Sequence, residues 1–255
     1  MTPFESFKEM EKALNSYKPS DYFRSLPLQL LKDSFPELYA LIGKVQPTIL
    51  HPEGDTFDHT MEVVDYVSHH VSRCLYIPGI ESVYGKMDLP KACFCALMHD
   101  IGKGVTPKEM LPHYYGHEKR GIEVIESLAK RMCIPKEWEE AAKFVSKYHM
   151  MVRTTKKAGS IVECLMALDQ TPLTPHEFTI ICEADSRDHI VPKWLYYDYP
   201  YNLIERLKYK IDANDAPKGL TNEEVNDWVH CRRAHLFRQM YNDLLRGGIK
   251  ALCVY

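Results

Sequence analysis

The sequence predicts an all-α fold, a helical bundle with a metal site at its centre, on three observations. Apolar residues recur at helical spacing in one segment after another, and no segment shows convincing alternation of apolar and polar residues, the pattern that predicts β-strands. The third observation is a series of histidines and aspartates along the predicted helices. With 255 residues, 45% of them hydrophobic and 26% charged, the chain can bury one sizeable core.

The first helix of the series is expected to be capped by Thr56. Its residues Val63, Val67 and Val71 recur at helical spacing on the side that carries His59. The apolar stripe therefore places this histidine toward the core.

The next helices each bring a histidine to one end. Pro90 suits the first turn of a helix that ends in the adjacent pair His99-Asp100. His117 begins the following apolar stripe, which continues to Met132, and His149 ends the stripe after that.

Three predicted capping boxes open the remaining helices, and an aspartate follows in each of the first two. Asp169 is expected on the first of these helices and Asp185 on the second. The boxes pair Ser160 with Glu163, Thr174 with Glu177, and Thr221 with Glu224. We find no linker that splits the chain, so we expect a single domain with N-terminal helices at 1–50, a metal-binding core at 51–190, and a C-terminal extension and helix at 191–255.

Composition points to a small partner and a reducing compartment. The formal net charge of −3 gives no electrostatic reason to bind long nucleic acid. The eight cysteines are scattered without the C-x-x-C spacing of a zinc knuckle, and Met1 to Leu14 has neither a signal-peptide core nor a membrane span. We therefore expect a cytoplasmic protein that does not bind membranes, with an oligomeric state that the sequence leaves open.

Six side chains offer the mixed nitrogen and oxygen ligands that bind divalent or iron-group metals. They are His59, His99, Asp100, His117, His149 and Asp169. The order His, His-Asp, His, His, Asp, followed closely after the pair by Gly102-Lys103, is typical of the HD-domain metal-dependent phosphohydrolase superfamily, which the chain resembles.

Further motifs are similar to the C-terminal HD domain of bacterial CCA-adding tRNA nucleotidyltransferases. They are Phe35-Pro36-Glu37-Leu38, Gln46-Pro47, His51-Pro52-Glu53-Gly54-Asp55-Thr56, His99-Asp100-Ile101-Gly102-Lys103-Gly104, Gly116-His117-Glu118, Tyr148-His149 and Glu183-Ala184-Asp185-Ser186-Arg187. The likeness covers nearly the whole chain but no nucleotidyltransferase head, so we expect that the chain does not add CCA.

The resemblance implies a role for each candidate residue. One or two ions (Ni, Co, Mn, Fe, Mg or Zn) would be bound by His59, His99, Asp100 and Asp169, with Asp100 as a bridge to a second position. His117 and His149 would complete that second position. Asp100 and Lys103 are the expected catalytic residues.

Other residues are expected to contact substrate or to support the site. Lys103, Arg120 and Arg187 are candidates to bind substrate phosphate, although Lys103 also fits a solvated cation at a helix C-terminus. We interpret Asp185 as a supporting or packing residue paired with Arg187.

The implied activity is hydrolysis of phosphoesters on a nucleotide or an RNA 3′ end. A 2′,3′-cyclic phosphodiesterase, a 2′-nucleotidase or a phosphatase is the leading interpretation. Two alternatives stay open: an HD-type di-iron oxygenase with the same ligands, and a non-catalytic sensor of nucleotides or RNA ends.

Overall fold

A computed structural model describes residues 3–46, 54–155, 157–186 and 201–247. In this part of the chain the secondary structure is helical, and an isolated antiparallel bridge between Val45 and Asp55 is its only β pairing. The all-α prediction is confirmed. The α-helices are α1 Pro3–Leu14, α2 Ser20–Ser25, α3 Leu28–Ser34, α4 Pro36–Tyr39, α5 Thr56–Leu75, α6 Ile80–Tyr84, α7 Leu89–Met98, α8 His117–Met132, α9 Lys136–Thr154, α10 Ala158–Leu168, α11 Pro175–Ser186, α12 Tyr201–Lys210 and α13 Asn222–Gly247.

The chain divides into two compact units. The first comprises Met1–His149 with Thr171–Ile190, and the second comprises Met150–Gln170 with Val191–Tyr255. Each has its own buried residues. The expectation of a single domain stays a prediction.

In the first unit, α5 and α7 form the central helix pair. The side chain of Asp55, rather than that of Thr56, caps α5 by accepting a hydrogen bond from the Asp58 amide (3.0 Å). The Thr56 hydroxyl instead donates to the Lys44 carbonyl (2.9 Å). The predicted cap was therefore one residue late, because adjacent Asp and Thr are both good caps and the tertiary contact decides between them.

Helix α7 is the most deeply buried element of this unit. Asp88 caps it and Pro90 lies in its first turn, as predicted. Its residues from Lys91 to Met98 are all buried, with α5, α1 and α11 packed against it. An all-round apolar helix can be stable only when neighbours cover every face, so the residues that follow Met98 emerge inside the unit.

Two glycines bring the start of α8 against the turn after α7. A Cβ on Gly102 would lie 2.0 Å from the His117 carbonyl oxygen, and one on Gly121 would lie 2.2 Å from Ser146 Oγ. Only hydrogen atoms fit at these two positions. The close approach sets α8, and hence His117, beside the Asp100 turn.

The second unit packs α10 against α13 and α12. Arg233 on α13 is 1% exposed, donates to the Ile211 carbonyl (3.0 Å) and forms an ion pair with Asp169 (2.8 Å). The predicted Ser160–Glu163 box is wrong, because α10 begins at Ala158 and places Ser160 within the helix.

The other two capping boxes are confirmed. The amide and hydroxyl of Thr174 pair with Glu177, and those of Thr221 pair with Glu224. Among the described helices, none combines the length and the apolar character needed to cross a membrane.

Candidate metal centre

Two groups of buried potential ligands lie in the first unit and share one carboxylate. The first group is His59, His99, Asp100 and Asp185, and the second is Asp100, His117 and His149. Within each group the ligand atoms all lie within 4.8 Å of one another. The structure thus brings together five of the six predicted ligands and adds Asp185.

Each ligand comes from the inward side or the buried end of a helix. His59 lies in the first turn of α5, and Asp185 lies in the last turn of α11, which packs against α5. His99 and Asp100 directly follow the buried α7. His117 is the first residue of α8, and His149 lies in the last part of α9.

Backbone carbonyls orient three of the imidazole rings. His99 Nδ1 lies 2.7 Å from the Ala96 oxygen, His117 Nδ1 lies 2.9 Å from the Tyr114 oxygen, and His149 Nδ1 lies 3.1 Å from the oxygens of Val145 and Ser146. A carbonyl only accepts, so Nδ1 carries the proton and donates. The Nε2 lone pair is then available to a metal, as in most histidine ligands whose other nitrogen donates.

The atoms left over by these hydrogen bonds fit a cation. His99 Nε2, His117 Nε2, His149 Nε2 and Asp100 Oδ1 are buried and have no hydrogen-bond partner. Leaving buried polar atoms unpaired costs free energy, about 1–3 kcal/mol for each group. Four such atoms in one place therefore fit a bound cation, and a nitrogen and oxygen donor set without sulfur suits zinc, iron or manganese-like ions.

The spacing of these atoms also fits coordination. Asp100 Oδ1 lies 3.1 Å from His117 Nε2 and 3.5 Å from His149 Nε2, and His59 Nε2 lies 3.2 Å from Asp185 Oδ1. Ligands about 2.1 Å from one metal are roughly 3.0–3.4 Å apart in octahedral or tetrahedral arrangements. The prediction that the cluster holds a divalent metal is supported, and the ion's identity stays open.

Asp100 is kept ionised by the groups around it. Burial alone raises the pKa of a carboxyl, but Lys103, His99, His117 and His149 outweigh that effect and hold the pKa of Asp100 well below its usual range. The nearest of these groups is the Lys103 ammonium, 2.5 Å from Asp100 Oδ2. The shared ligand is therefore negatively charged at neutral pH, as a metal bridge requires.

Asp100 affects the two histidines of the second group differently. Burial lowers the pKa of His117, but the contact with Asp100 outweighs it and leaves this pKa raised. For His149, burial prevails over the same carboxylate, and the pKa is lowered. His149 is thus the better prepared of the two to meet a cation in its neutral form.

The structure does not bring the expected final ligand, Asp169, into the candidate centre. It directly follows α10 in the second unit, where its carboxylate accepts from the buried Arg233 guanidinium (2.8 Å). Neither ligand group in the described residues includes it, and Asp185 is the second carboxylate of the first group. Because an ion pair with a buried arginine already uses the Asp169 carboxylate, we propose Asp185 as the ligand in its place.

The predicted substrate-binding residues have different surroundings. Lys103 is buried in a short 3₁₀ turn, so the alternative of a solvated helix-end cation is wrong. Arg120 donates to Thr106 Oγ1 (2.9 Å) and thereby holds the loop that precedes α8. Arg187 lies outside the described residues.

Sequence reasoning gave Gln46 no role of its own, although the structure places it at the site. Its Oε1 accepts a hydrogen bond from Lys103 Nζ (2.6 Å). Gln46 precedes α5 and belongs to no apolar stripe, so periodicity could not find it. The signal for Asp185 is the motif Glu183-Ala184-Asp185-Ser186-Arg187 around it.

Comparison with known proteins agrees with this geometry. Residues 56–189 match the HD domain family, a range that contains every ligand of both groups. Multifunctional CCA proteins are similar over more of the chain. That of Nitrosococcus oceani is 33% identical over 251 residues, or 94% of this chain and 57% of the relative.

Two further relatives give the same result. The Multifunctional CCA protein of Mannheimia succiniciproducens is 36% identical over 187 residues, or 71% of this chain and 42% of the relative. That of Pasteurella multocida is 30% identical over 247 residues, or 93% and 56% respectively. The chain thus spans about half the length of the curated relatives it matches.

The family match covers more than half of the chain and coincides with the buried ligand cluster. This chain belongs to the HD-domain family.

Proposed function

We propose that the protein is a metal-dependent phosphohydrolase that acts on a phosphoester of a nucleotide or an RNA 3′ end. The observation that carries the proposal is the shared, ionised Asp100 between two groups of buried ligand atoms, with the Lys103 ammonium 2.5 Å away. Hydrolysis of 2′,3′-cyclic nucleotides is the reaction we favour, followed by cleavage of 2′-phosphates.

The side chains divide the work between holding metal and binding charge. His59, His99, Asp100 and Asp185 would hold one ion, and His117 and His149 would add a second position across Asp100. A bound divalent ion supplies positive charge to phosphoryl oxygens and lowers the pKa of a coordinated water toward neutrality.

Lys103 supplies a further positive charge at a fixed place. It is buried, and its ammonium is oriented by Asp100 on one side and Gln46 on the other. A preorganised cation in a water-poor site stabilises developing negative charge more strongly than the same cation in water. This supports our assignment of Lys103 to phosphate binding and charge stabilisation.

The substrate class is supported by the relatives and by the charge of the chain. Proteins named Multifunctional CCA protein match 71–94% of this chain, and the net charge of −3 does not favour binding along a nucleic acid. A mononucleotide or the terminal nucleotide of an RNA fits both observations.

The test is hydrolysis of the four 2′,3′-cyclic nucleotides by protein stripped of metal and resupplied with Ni, Co, Mn, Fe, Mg or Zn. We expect turnover only with metal, and loss of at least about 100-fold in Asp100→Asn, which keeps the shape but not the charge of the shared ligand. Asp21→Asn, at an exposed carboxylate on α2, is the matched control and should retain wild-type turnover.

Two results would contradict the proposal. One is turnover that persists in Asp100→Asn, since the reaction would then occur elsewhere. The other is no hydrolysis of cyclic nucleotides or 2′-phosphates with any ion by protein that binds metal. Consumption of O₂ by the iron-loaded protein in that case would favour the oxygenase alternative, and binding of nucleotide without turnover would favour the sensor.

A further inference from the structure

Gln46 is buried beside the candidate metal centre with half of its amide unused. Gln46 is 3% exposed, and its Nε2 has no hydrogen-bond partner. The contact with Lys103 identifies the oxygen and the nitrogen of the amide. Oε1 accepts from Lys103 Nζ at 2.6 Å, and an ammonium can only donate, so the atom left without a partner is the NH₂ donor.

The surroundings of Gln46 hold it in this position. The Tyr114 hydroxyl donates to the carbonyl of Val45 (2.8 Å), and Val45 also forms the bridge with Asp55, the cap of α5. The residue before Gln46 is thus tied both to the start of the helix that carries His59 and to the loop that leads to His117. With its neighbour held in this way and its Oε1 bonded to Lys103, the Gln46 side chain is preorganised.

The neutral amide orients Lys103 without cancelling its charge. Lys103 Nζ contacts Asp100 on one side and Gln46 on the other. If a second carboxylate stood at position 46, it would neutralise the ammonium. An amide oxygen supplies the same hydrogen bond and adds no second negative charge beside the ammonium, which already pairs with Asp100.

We propose that Gln46 is a substrate-binding residue of the phosphohydrolase, in which Oε1 orients Lys103 and the buried NH₂ donates a hydrogen bond to an anionic phosphoryl oxygen. The inference rests on the proposed function and assigns a residue to it. The ligand is a phosphate monoester, as its monoanion or dianion, or a phosphate diester, as its monoanion. Two adjacent donors, one charged and one neutral, match two oxygens on the same phosphorus.

The variants Gln46→Leu and Gln46→Glu separate the two parts of the proposal. Gln46→Leu removes both hydrogen bonds at similar size, and Gln46→Glu keeps the contact with Lys103 but replaces the donor by a negative charge. Because a hydrogen bond to a charged group is lost, we expect inorganic phosphate to bind about 10- to 100-fold more weakly to the metal-loaded Gln46→Leu protein. Gln46→Glu should bind it more weakly still.

Titration calorimetry with inorganic phosphate and the ¹⁵N–¹H signals of the Gln46 amide give readouts independent of turnover. In the wild type, phosphate should shift these two signals downfield, as expected of a donor to an anion. Metal content should equal that of wild type in both variants, which shows that the centre is intact. Gln29→Leu, at an exposed glutamine on α3, is the control and should bind phosphate normally.

If both Gln46 variants bind phosphate as wild type does, or if phosphate leaves the Gln46 amide signals unmoved, the proposal is overturned. The proposed function has a separate test. If the wild type hydrolyses cyclic nucleotides and both Gln46 variants have the same KM and kcat, the role of Gln46 is overturned and the proposed function is not. Protein that binds phosphate through Gln46 but hydrolyses no phosphoester would overturn the hydrolase and keep Gln46 as part of an anion site.

Discussion

Asp185 and Asp169 lie in different chemical surroundings although both come near the end of a helix. Asp185 faces His59 at 3.2 Å within a buried ligand group. Asp169 neutralises Arg233, whose side chain is 1% exposed. A carboxylate paired with a buried guanidinium stabilises the fold, while one beside buried imidazoles is placed to bind a metal with them.

The substitutions Asp185→Asn and Asp169→Asn should therefore have opposite effects. Asp185→Asn is expected to lower metal content, because a charged ligand becomes a weak neutral one, with little loss of metal-free stability. Asp169→Asn should keep its metal but unfold more easily by about 3 kcal/mol, because Arg233 loses its counter-charge. Metal analysis and urea unfolding of both variants check this, and metal loss in Asp169→Asn alone would restore it as the ligand.

His117 should release a proton when the second metal position fills. The contact with Asp100 outweighs burial and raises the pKa of His117 above its ordinary value near 6.5. A raised pKa keeps the imidazolium populated at higher pH, so metal affinity should fall as the pH drops through that pKa. Titration calorimetry in buffers of different ionisation enthalpy measures the proton. In His117→Asn fewer protons should be released for each metal ion bound. An unchanged number would contradict the assignment of the proton to His117.

At the scale of elements, the contact between the turn at Gly102 and the start of α8 sets the position of His117. The nearest neighbours of an added Cβ there are backbone atoms of His117 and Gly121, at 2.0 and 2.5 Å. Backbone of a packed helix cannot move aside cheaply. The glycine is therefore required by the approach of two elements.

Gly102→Ala should be strongly destabilising and should displace α8. We expect a loss of about 3 kcal/mol in the free energy of unfolding, with metal content reduced because His117 moves. Gly159→Ala is the matched control, since a Cβ there meets nothing within 4 Å and alanine favours the helix by about 0.5 kcal/mol. If Gly102→Ala unfolds in urea with the stability of the wild type, the turn at Gly102 and the start of α8 are packed less tightly than the structure indicates.

Some elements could be predicted from the sequence and others could not. The stripe that ends in His149 is predictable because burial of an amphipathic helix leaves a periodic trace, and the helix before His99 is predictable because Pro90 marks its first turn. The cap of α5 and the start of α10 were misplaced, because several good capping residues lie close together at each. The choice between Asp169 and Asp185 depended on Arg233, a partner distant in sequence that periodicity does not reveal.

At the scale of the whole molecule, every ligand of the candidate centre belongs to the first unit. The second unit has its own helix packing around Arg233. A ligand that binds only the folded first unit stabilises that unit by mass action. The two units should therefore respond differently to metal.

Hydrogen exchange with and without metal measures that difference. At an ion concentration of 100 times Kd, binding should add about 2.7 kcal/mol to the stability of the first unit. We expect slower exchange in α5, α7, α8 and α11, and little change in α10 and α13. Equal protection of all these helices would indicate that the units unfold together, and protection of α10 alone would place the metal in the second unit.

The central claim is that the buried histidines, Asp100 and Asp185 form a metal centre. Anomalous diffraction from crystals grown with manganese, iron or zinc, recorded at the absorption edge of the metal, tests it most directly. We predict a peak within bonding distance of His59, His99, Asp100 and Asp185, with any second peak between Asp100, His117 and His149. A peak at Asp169, or none at Asp100 with any of the three metals, would contradict the account.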